Sequence, residues 1–427
     1  MLIINPAKTI RGEITVPGDK SISHRAVMLA AISQGKSEIS GFLQGEDCLS
    51  TIACFRKLGI EINNRNELIE VEGKGLYGLN EPSTALDAGN SGTTMRLLSG
   101  ILAGQPFTSR LIGDSSLQHR PMNRVATPLR LMGAEVSGVG EKCCAPLTIC
   151  GGNLIAIDWQ STVASAQVKS AILLAGLYAN GRTRVSEPVL SRDHTERMLR
   201  AFGVDILSAG VQATILAPKQ LIAQKIVVPG DISSAAFFLV AAALLPNSEL
   251  IIRNVGLNPT RTGIIDVLRI MGANIEFDNI TENNAEISGD IIVRTGKLQG
   301  VEIGIDIMPR LIDEIPIIAV LAMIAEGKTT ITGAQELRVK ESDRITAIVT
   351  AFRKMGAVIE ELPDGMIIQG GQKLHGAAIE SYHDHRIAMA AAIAGLFADG
   401  QTSIDNDECI DISFPGFAEL LSKVVKS

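Results

Sequence analysis

Five stretches of the chain repeat one arrangement of apolar and polar positions: FRKLGIEI from Phe55, LRLMGAEV from Leu129, LRAFGVDI from Leu199, LRIMGANI from Leu268 and FRKMGAVI from Phe352. In each, an apolar-faced segment of helical spacing runs into a glycine, and alternating apolar and polar residues follow. Glycine reaches the left-handed conformation that closes a helix without steric cost. Gly59, Gly133, Gly203, Gly272 and Gly356 therefore mark helix ends, and the alternation after each marks a strand. Their spacing of roughly seventy residues, set against 427, predicts about six copies of one small α/β unit, the last without its signature.

A longer echo relates the two halves. VPGDKSISHRAVMLAAI from Val16 matches VPGDISSAAFFLVAAAL from Val228, and AILLAGLYANG from Ala171 matches AAIAGLFADG from Ala391. The chain reads as three units duplicated into two lobes, crossing between them near Gly18 and again near Gly230, with a ligand cleft between the crossings. The expected division is 1–18 plus 230–427 for one lobe and 19–229 for the other. A chain of 427 residues is long enough for two hydrophobic cores.

Composition narrows the function. With 46% hydrophobic and 20% charged residues the chain is an ordinary globular one. A net charge of -7 and 4% aromatic residues exclude the basic stripe and stacking platforms of a nucleic-acid binder. The longest apolar run, 235–245, is too short to span a bilayer and reads as a buried helix. The opening MLIINPAKTI is strand-like and lacks the regions of a secretory signal, which points to the cytoplasm. Six cysteines without a C-x-x-C pair read as buried reduced thiols. His383 and His385 stand two apart, on different faces of any helix, and no metal site is expected there. GKGLYG at 73–78 is followed by no helix signal and reads as a turn; GKS at 35–37 reads as a helix end instead of a phosphate loop.

Charged and small residues gather at predicted helix starts. In ITVPGDKSISHRAVML a helix begins near Ser21 to Ser23, so Lys20 and Ser21 sit where amide donors and the helix dipole favour an anion. Arg25, one turn on, adds a planar fork suited to phosphate or carboxylate; a capped helix with solvated charges is the alternative. LDAGNSGTTMRLL places Gly89 and Gly92 in a turn that opens another helix, where a missing side chain lets a ligand approach the backbone. Pro121 forces Arg120 into an extended conformation that projects its guanidinium from a loop. Ser165 and Gln167 open a further helix, as caps or as ligands for hydroxyl groups. SRDHTERM and LRVKESDRI crowd charges of both signs at helix starts, and Asp313, Glu314 and the pair Lys340 and Glu341 supply carboxylates able to carry a proton.

Together GDKSISHRA, LDAGNSGTTMRLL, HRPM, SAQVKSA, SRDHTERM, IDEIP, LRVKESDR and DHRIAMA resemble, in family order and along essentially the whole chain, the 5-enolpyruvylshikimate-3-phosphate synthases of the enolpyruvyl transferase family. The wording of SAQVKSAILLAGL and SRDHTERML is similar to the second of that family's two sequence classes. The resemblance implies an α/β, two-lobed enolpyruvyl transferase fold of six βαβαββ units, three per lobe. It implies transfer of the enolpyruvyl group of phosphoenolpyruvate to the 5-hydroxyl of shikimate 3-phosphate, with release of phosphate, by addition and elimination. It implies that Lys20, Ser21, Arg25, Ser165, Gln167, Arg192, Asp313 and Lys340 hold shikimate 3-phosphate, and that Lys20, Gly92, Arg120, Gln167, Arg344 and Arg386 hold phosphoenolpyruvate. Asp313 is then the base for the 5-hydroxyl, while Glu341 and Lys20 are candidates to protonate the methylene carbon. No metal or organic cofactor enters that scheme, and a cytoplasmic monomer without nucleic-acid or membrane partners is expected.

The chain departs from the family's first class at two positions. Ile412 stands where that class has a lysine, and Glu336 where it has an asparagine for the sugar-like ring, so Glu336 is left out of the site. Gly92 is retained where some second-class members carry alanine and resist glyphosate, which leaves inhibitor sensitivity open. Two rivals remain: an enolpyruvyl transferase acting on UDP-N-acetylglucosamine, which usually has Lys-Asn in place of Lys20-Ser21, and a non-catalytic two-lobed anion receptor.

Overall fold

The computed structural model describes residues 1–65 and 68–426. The chain forms two compact units. Unit 1 comprises Met1–Pro17, Pro229–Thr281 and Ile287–Ser427; unit 2 comprises Gly18–Val228 and, from much later in the chain, Glu282–Glu286. Each unit has its own hydrophobic core.

Within unit 2 three four-stranded sheets share one strand order. Lys225–Val227, Gln34–Ser40, Leu68–Lys74 and Glu61–Arg65 form the first; Leu86–Asp87, Thr108–Ile112, Cys144–Cys150 and Glu135–Val139 the second; Asp158–Gln160, Arg182–Ser186, Gln212–Leu216 and Ile206–Ala209 the third. In each, the first pair is parallel and the next two are antiparallel. Unit 1 repeats the pattern in Glu302–Ile303, Lys328–Ile331, Gly365–Gln369 and Val358–Leu362. Its five- and three-stranded sheets differ because they take in strands at the chain ends, Thr9–Thr15 with Val425–Lys426 and Leu2–Ile4.

All five glycines of the repeated phrase lie at positive φ, from +84° at Gly203 to +107° at Gly133. After each, the next backbone amide donates back to the first residue of the phrase, as from Ile60 to Phe55 and from Ala273 to Leu268. These bonds satisfy carbonyls that the helix end would leave open. The arginine three residues before each glycine completes the join by donating to a carbonyl of the following strand: Arg56 to Ile62, Arg130 to Val136, Arg200 to Ile206, Arg269 to Ile275 and Arg353 to Ile359. One helix-to-strand corner is thus built five times from the same backbone and side-chain bonds. Replacing Gly272 with alanine is expected to destabilise the protein by about 1–3 kcal/mol, from a left-handed non-glycine residue. An added Cβ would also lie 2.8 Å from the Lys297 carbonyl oxygen. At Gly203 the nearest atom would be 3.5 Å away, so the urea midpoint should fall further in G272A than in G203A.

Two helices at matching places in the two units are buried along most of their length. Helix Ile232–Leu244 is buried through Ala243, and Phe238 packs with Phe414 and Phe417. Its counterpart Lys20–Ala31 is buried from Ile22 onward. Asp19 and Asp231 cap these two helices, accepting from Ile22 and Ser233 amides at 2.9 and 2.8 Å. No described helix is long and apolar enough to cross a membrane.

Two sequence expectations need correction. The helix before the GKS triplet ends at Ile32, and Gly35, at φ +97°, belongs to strand Gln34–Ser40. Cys48, Cys54, Cys143 and Cys409 are buried free thiols, but Cys144 and Cys150 are only half-buried because they point to the outer face of strand Cys144–Cys150. Burial pushes the Cys54 and Cys409 thiols up to about 12.

Candidate active site

In unit 2 the first helix starts at Lys20, slightly earlier than its sequence suggests, because Asp19 provides the cap. Lys20 Nζ lies 2.8 Å from Asp47 Oδ2, a residue in the first turn of helix Glu46–Lys57. Arg25 is buried at 4% exposure, with its fork turned into the unit. Its Nε donates to Thr195 Oγ1 at 2.7 Å, Nη2 to Ser170 Oγ at 2.8 Å and Nη1 to the Ser21 carbonyl at 2.9 Å. Burial pushes the guanidinium down to about 10, partly offset by Glu196, so it stays charged at neutral pH.

Helix Gly92–Ala103 opens with Ser91 accepting from the Thr94 amide. A Cβ on Gly92 would lie 2.9 Å from Arg96 Nη1 and 3.3 Å from Arg120 Nη1, so both guanidinium groups occupy space that a side chain there would take. Arg120 is extended, as Pro121 requires, and donates to Asn90 Oδ1 at 2.9 Å. Asn90 in turn donates to Asp114 at 2.6 Å, which fixes the amide with its oxygen toward Arg120. Gln167 is oriented the same way: it accepts from Arg96 at 2.6 Å and donates to Thr93 at 3.0 Å. Ser165 caps helix Ala166–Gly176. That helix lies close to Gly92–Ala103, since a Cβ on Gly100 would fall 2.2 Å from the Ala171 carbonyl oxygen. Half-buried Arg192 stands in the segment before helix His194–Ala201.

In unit 1 a second group of charges surrounds Asp313. This residue lies in the turn Ile312–Glu314, ahead of helix Ile315–Ile324. Its Oδ1 is 3.1 Å from Lys340 Nζ and 3.5 Å from Arg344 Nη1, and Arg386 Nη1 donates to its backbone carbonyl at 2.9 Å. Arg344, 1% exposed, begins helix Arg344–Arg353. It donates from Nε to Asp384 at 2.8 Å and pairs through Nη2 with Glu341 at 2.7 Å. Burial alone would lower its pKa, but Asp384 and Glu341 outweigh that and hold it above its ordinary value. Asp384 is fully buried; despite burial, Arg344 holds its carboxyl below the usual range. Glu314, 1% exposed, accepts the Ser233 hydroxyl, and Arg386 is 4.0 Å away.

The structure therefore brings Lys20 and Ser21 to one helix start, Gly92, Arg120 and Gln167 to a neighbouring cluster, and Asp313, Glu341, Lys340, Arg344 and Arg386 to another. Arg25 and Ser165 already have partners within unit 2, as ligand to Thr195 and Ser170 and as cap. Sequence reasoning missed Arg96, Asn90 and Asp384. Arg96 stands one helical turn after Gly92, and Asp384 precedes the helix His385–Gly395 as its cap, so spacing and capping signals for both were present. Ile412 is half-buried and packs against the unit 1 core. Among the described residues no group of three or more His, Cys, Asp or Glu side chains is placed to hold a metal.

Cations stand at helix starts in both units, and in unit 1 a lysine and an arginine clamp a carboxylate, an arrangement that suits an α/β enzyme for small anions. The chain belongs to the EPSP synthase (3-phosphoshikimate 1-carboxyvinyltransferase) family, whose pattern it matches over residues 4–421. It is 60% identical over 426 residues to the 3-phosphoshikimate 1-carboxyvinyltransferase of Alkaliphilus metalliredigens, covering 100% of both chains. It is 55% identical to that of Desulforamulus reducens, covering 99% of each. A solved EPSP synthase from Acinetobacter baumannii superposes with a TM-score of 0.90 at 46% identity, covering 100% of this chain and 98% of that one.

Proposed function

We propose that the chain transfers the enolpyruvyl group of phosphoenolpyruvate to the 5-hydroxyl of shikimate 3-phosphate, in the shikimate pathway to aromatic amino acids. The observation that carries the mechanism is the Asp313 carboxylate beside Lys340 and Arg344. In this reading Asp313 takes the 5-hydroxyl proton as the oxygen attacks C2 of phosphoenolpyruvate, and Lys20 or Glu341 delivers a proton to the methylene carbon. The tetrahedral adduct then loses phosphate and a methyl proton. Negative charge on carboxylate and phosphate is met by Arg120, Arg344 and Arg386, with Lys20, Gln167 and the open backbone at Gly92 completing the phosphoenolpyruvate side. Ser21, Arg25, Ser165, Gln167, Arg192 and Lys340 serve shikimate 3-phosphate.

The proposed ligands come from both units, Lys20, Arg120 and Gln167 from unit 2 and Asp313, Lys340, Arg344 and Arg386 from unit 1. The scheme needs no metal or organic cofactor, and the enzyme is proposed to act as a cytoplasmic monomer without nucleic-acid or membrane partners. Mixing the protein with phosphoenolpyruvate and shikimate 3-phosphate is expected to release one phosphate per enolpyruvyl group transferred. UDP-N-acetylglucosamine in place of shikimate 3-phosphate should release none. Release with that sugar nucleotide would reassign the acceptor, and binding of both anions without release would make the chain a receptor.

A further inference from the structure

Behind the unit 2 residues lies a buried charge network that the proposed mechanism leaves unused. Glu187, 4% exposed, follows strand Arg182–Ser186. Its Oε1 accepts from the Ser165 amide at 2.9 Å. Its Oε2 accepts from the Ser191 hydroxyl at 2.8 Å and the Ser191 amide at 3.3 Å, and pairs with Lys169 Nζ at 3.0 Å. Lys169, 2% exposed, also reaches Glu196 Oε1 at 2.8 Å and the Ser191 carbonyl at 3.4 Å. Glu196 stands next to Thr195, whose hydroxyl takes the Arg25 Nε.

One carboxylate thus ties the residue that caps helix Ala166–Gly176 to the residue that precedes Arg192. Ser165 is itself a proposed ligand of shikimate 3-phosphate and stands two residues before Gln167, another; Ser191 adjoins Arg192, a third. An apolar core would hold a helix and a loop together with less desolvation cost, because burying ions is expensive and a well-packed apolar replacement is often as stable. What an ionised carboxylate adds is direction: it accepts several bonds at fixed angles, and here they converge from two segments. Burial would push the Lys169 ammonium toward neutrality, but Glu196 and Glu187 outweigh it and its pKa lies above the ordinary value, so the lysine stays charged.

We infer that Glu187, fixed by Lys169, is a positioning residue that sets the Ser165–Gln167 and Ser191–Arg192 segments at the spacing shikimate 3-phosphate requires. The inference rests on the proposed substrate and sharpens that reading of the same site. Glutamine cannot replace the carboxylate, because it has one acceptor oxygen where Glu187 uses two, and its amide would aim donors at the Lys169 ammonium or at the Ser165 amide.

The test compares steady-state kinetics of the intact wild-type chain with Glu187→Gln, Glu187→Asp and Ser191→Ala. In Glu187→Gln the KM for shikimate 3-phosphate is expected to rise roughly ten- to a hundredfold, as when a charged hydrogen bond is lost, with a smaller change in kcat. Glu187→Asp, which keeps the charge, should recover part of that loss. A merely structural role would lower the melting temperature and the active fraction while leaving KM unchanged, and that result overturns the inference. Should Glu187→Gln fail to fold, Ser191→Ala decides, since it deletes one hydroxyl and leaves the ion pairs intact. A rise of roughly threefold or more in the KM for shikimate 3-phosphate supports the inference and an unchanged KM overturns it. Inactive wild-type enzyme with shikimate 3-phosphate would instead overturn the proposed function itself.

Discussion

Asp313→Asn is expected to slow turnover by on the order of a hundred- to ten-thousandfold while changing the affinity for shikimate 3-phosphate only slightly. Asparagine keeps the shape of the side chain and one acceptor oxygen for Lys340 and Arg344, but it cannot take the hydroxyl proton. The surroundings should survive the substitution, because Arg344 keeps its bonds to Asp384 and Glu341. Binding can be followed by calorimetry and turnover by phosphate release. Two controls locate the base. Glu341, 2.7 Å from Arg344, is close enough to share the work, so Glu341→Gln must be measured beside it. Glu314 is buried and accepts the Ser233 hydroxyl, so Glu314→Gln should cost stability more than catalysis. Near-normal turnover in Asp313→Asn beside a collapse in either control would move the base to that residue. Severe loss in both Asp313→Asn and Glu341→Gln would indicate two proton-transfer groups, assignable to adduct formation or breakdown by rapid quenching.

Arg120→Lys is expected to raise the KM for phosphoenolpyruvate about ten- to a hundredfold, the cost of losing one charge-assisted hydrogen bond of a planar fork. The guanidinium spends one Nη2 bond on Asn90 and reaches past the bare Gly92 backbone with Nη1. A lysine ammonium is a single point and cannot hold Asn90 and an anion in the same arrangement. The affinity for shikimate 3-phosphate should barely move by calorimetry, because Arg120 is not among its proposed ligands. Equal losses for both ligands would mean that Arg120 acts through folding.

Much of the scaffold was legible because it depends on short-range physics. A glycine closing an apolar-faced helix is a local event, and the five glycines at positive φ stand where the repeated phrase placed helix ends. The matched VPGD segments likewise carry their own aspartate caps, Asp19 and Asp231. Cations at helix starts were legible for the same reason: Lys20 and Arg344 are first residues of their helices and Arg386 is in the first turn of another. The arginine of the repeated phrase was in plain view five times, yet its purpose depends on a strand carbonyl six residues on, reached only after the chain has turned the corner.

What the sequence by itself determined, then, was the repeated α/β scaffold, the family and the chemical types available to the site. Only the tertiary structure decided which charges face inward and what holds them. Arg25 meets Thr195 and Ser170 from 170 and 145 residues away, Arg344 meets Asp384 across 40, and the Lys169 ammonium is buried between carboxylates of two other segments. Residues Glu282–Glu286 join unit 2 from the far side of the chain, where Glu286 lies 2.6 Å from His194. Propensity, periodicity and capping act over a few residues, whereas the cost of burying a charge is met only by partners that folding brings from elsewhere. A lysine in an apolar helix pattern reads the same whether it is solvated or paired, and the difference exists only once the chain is folded.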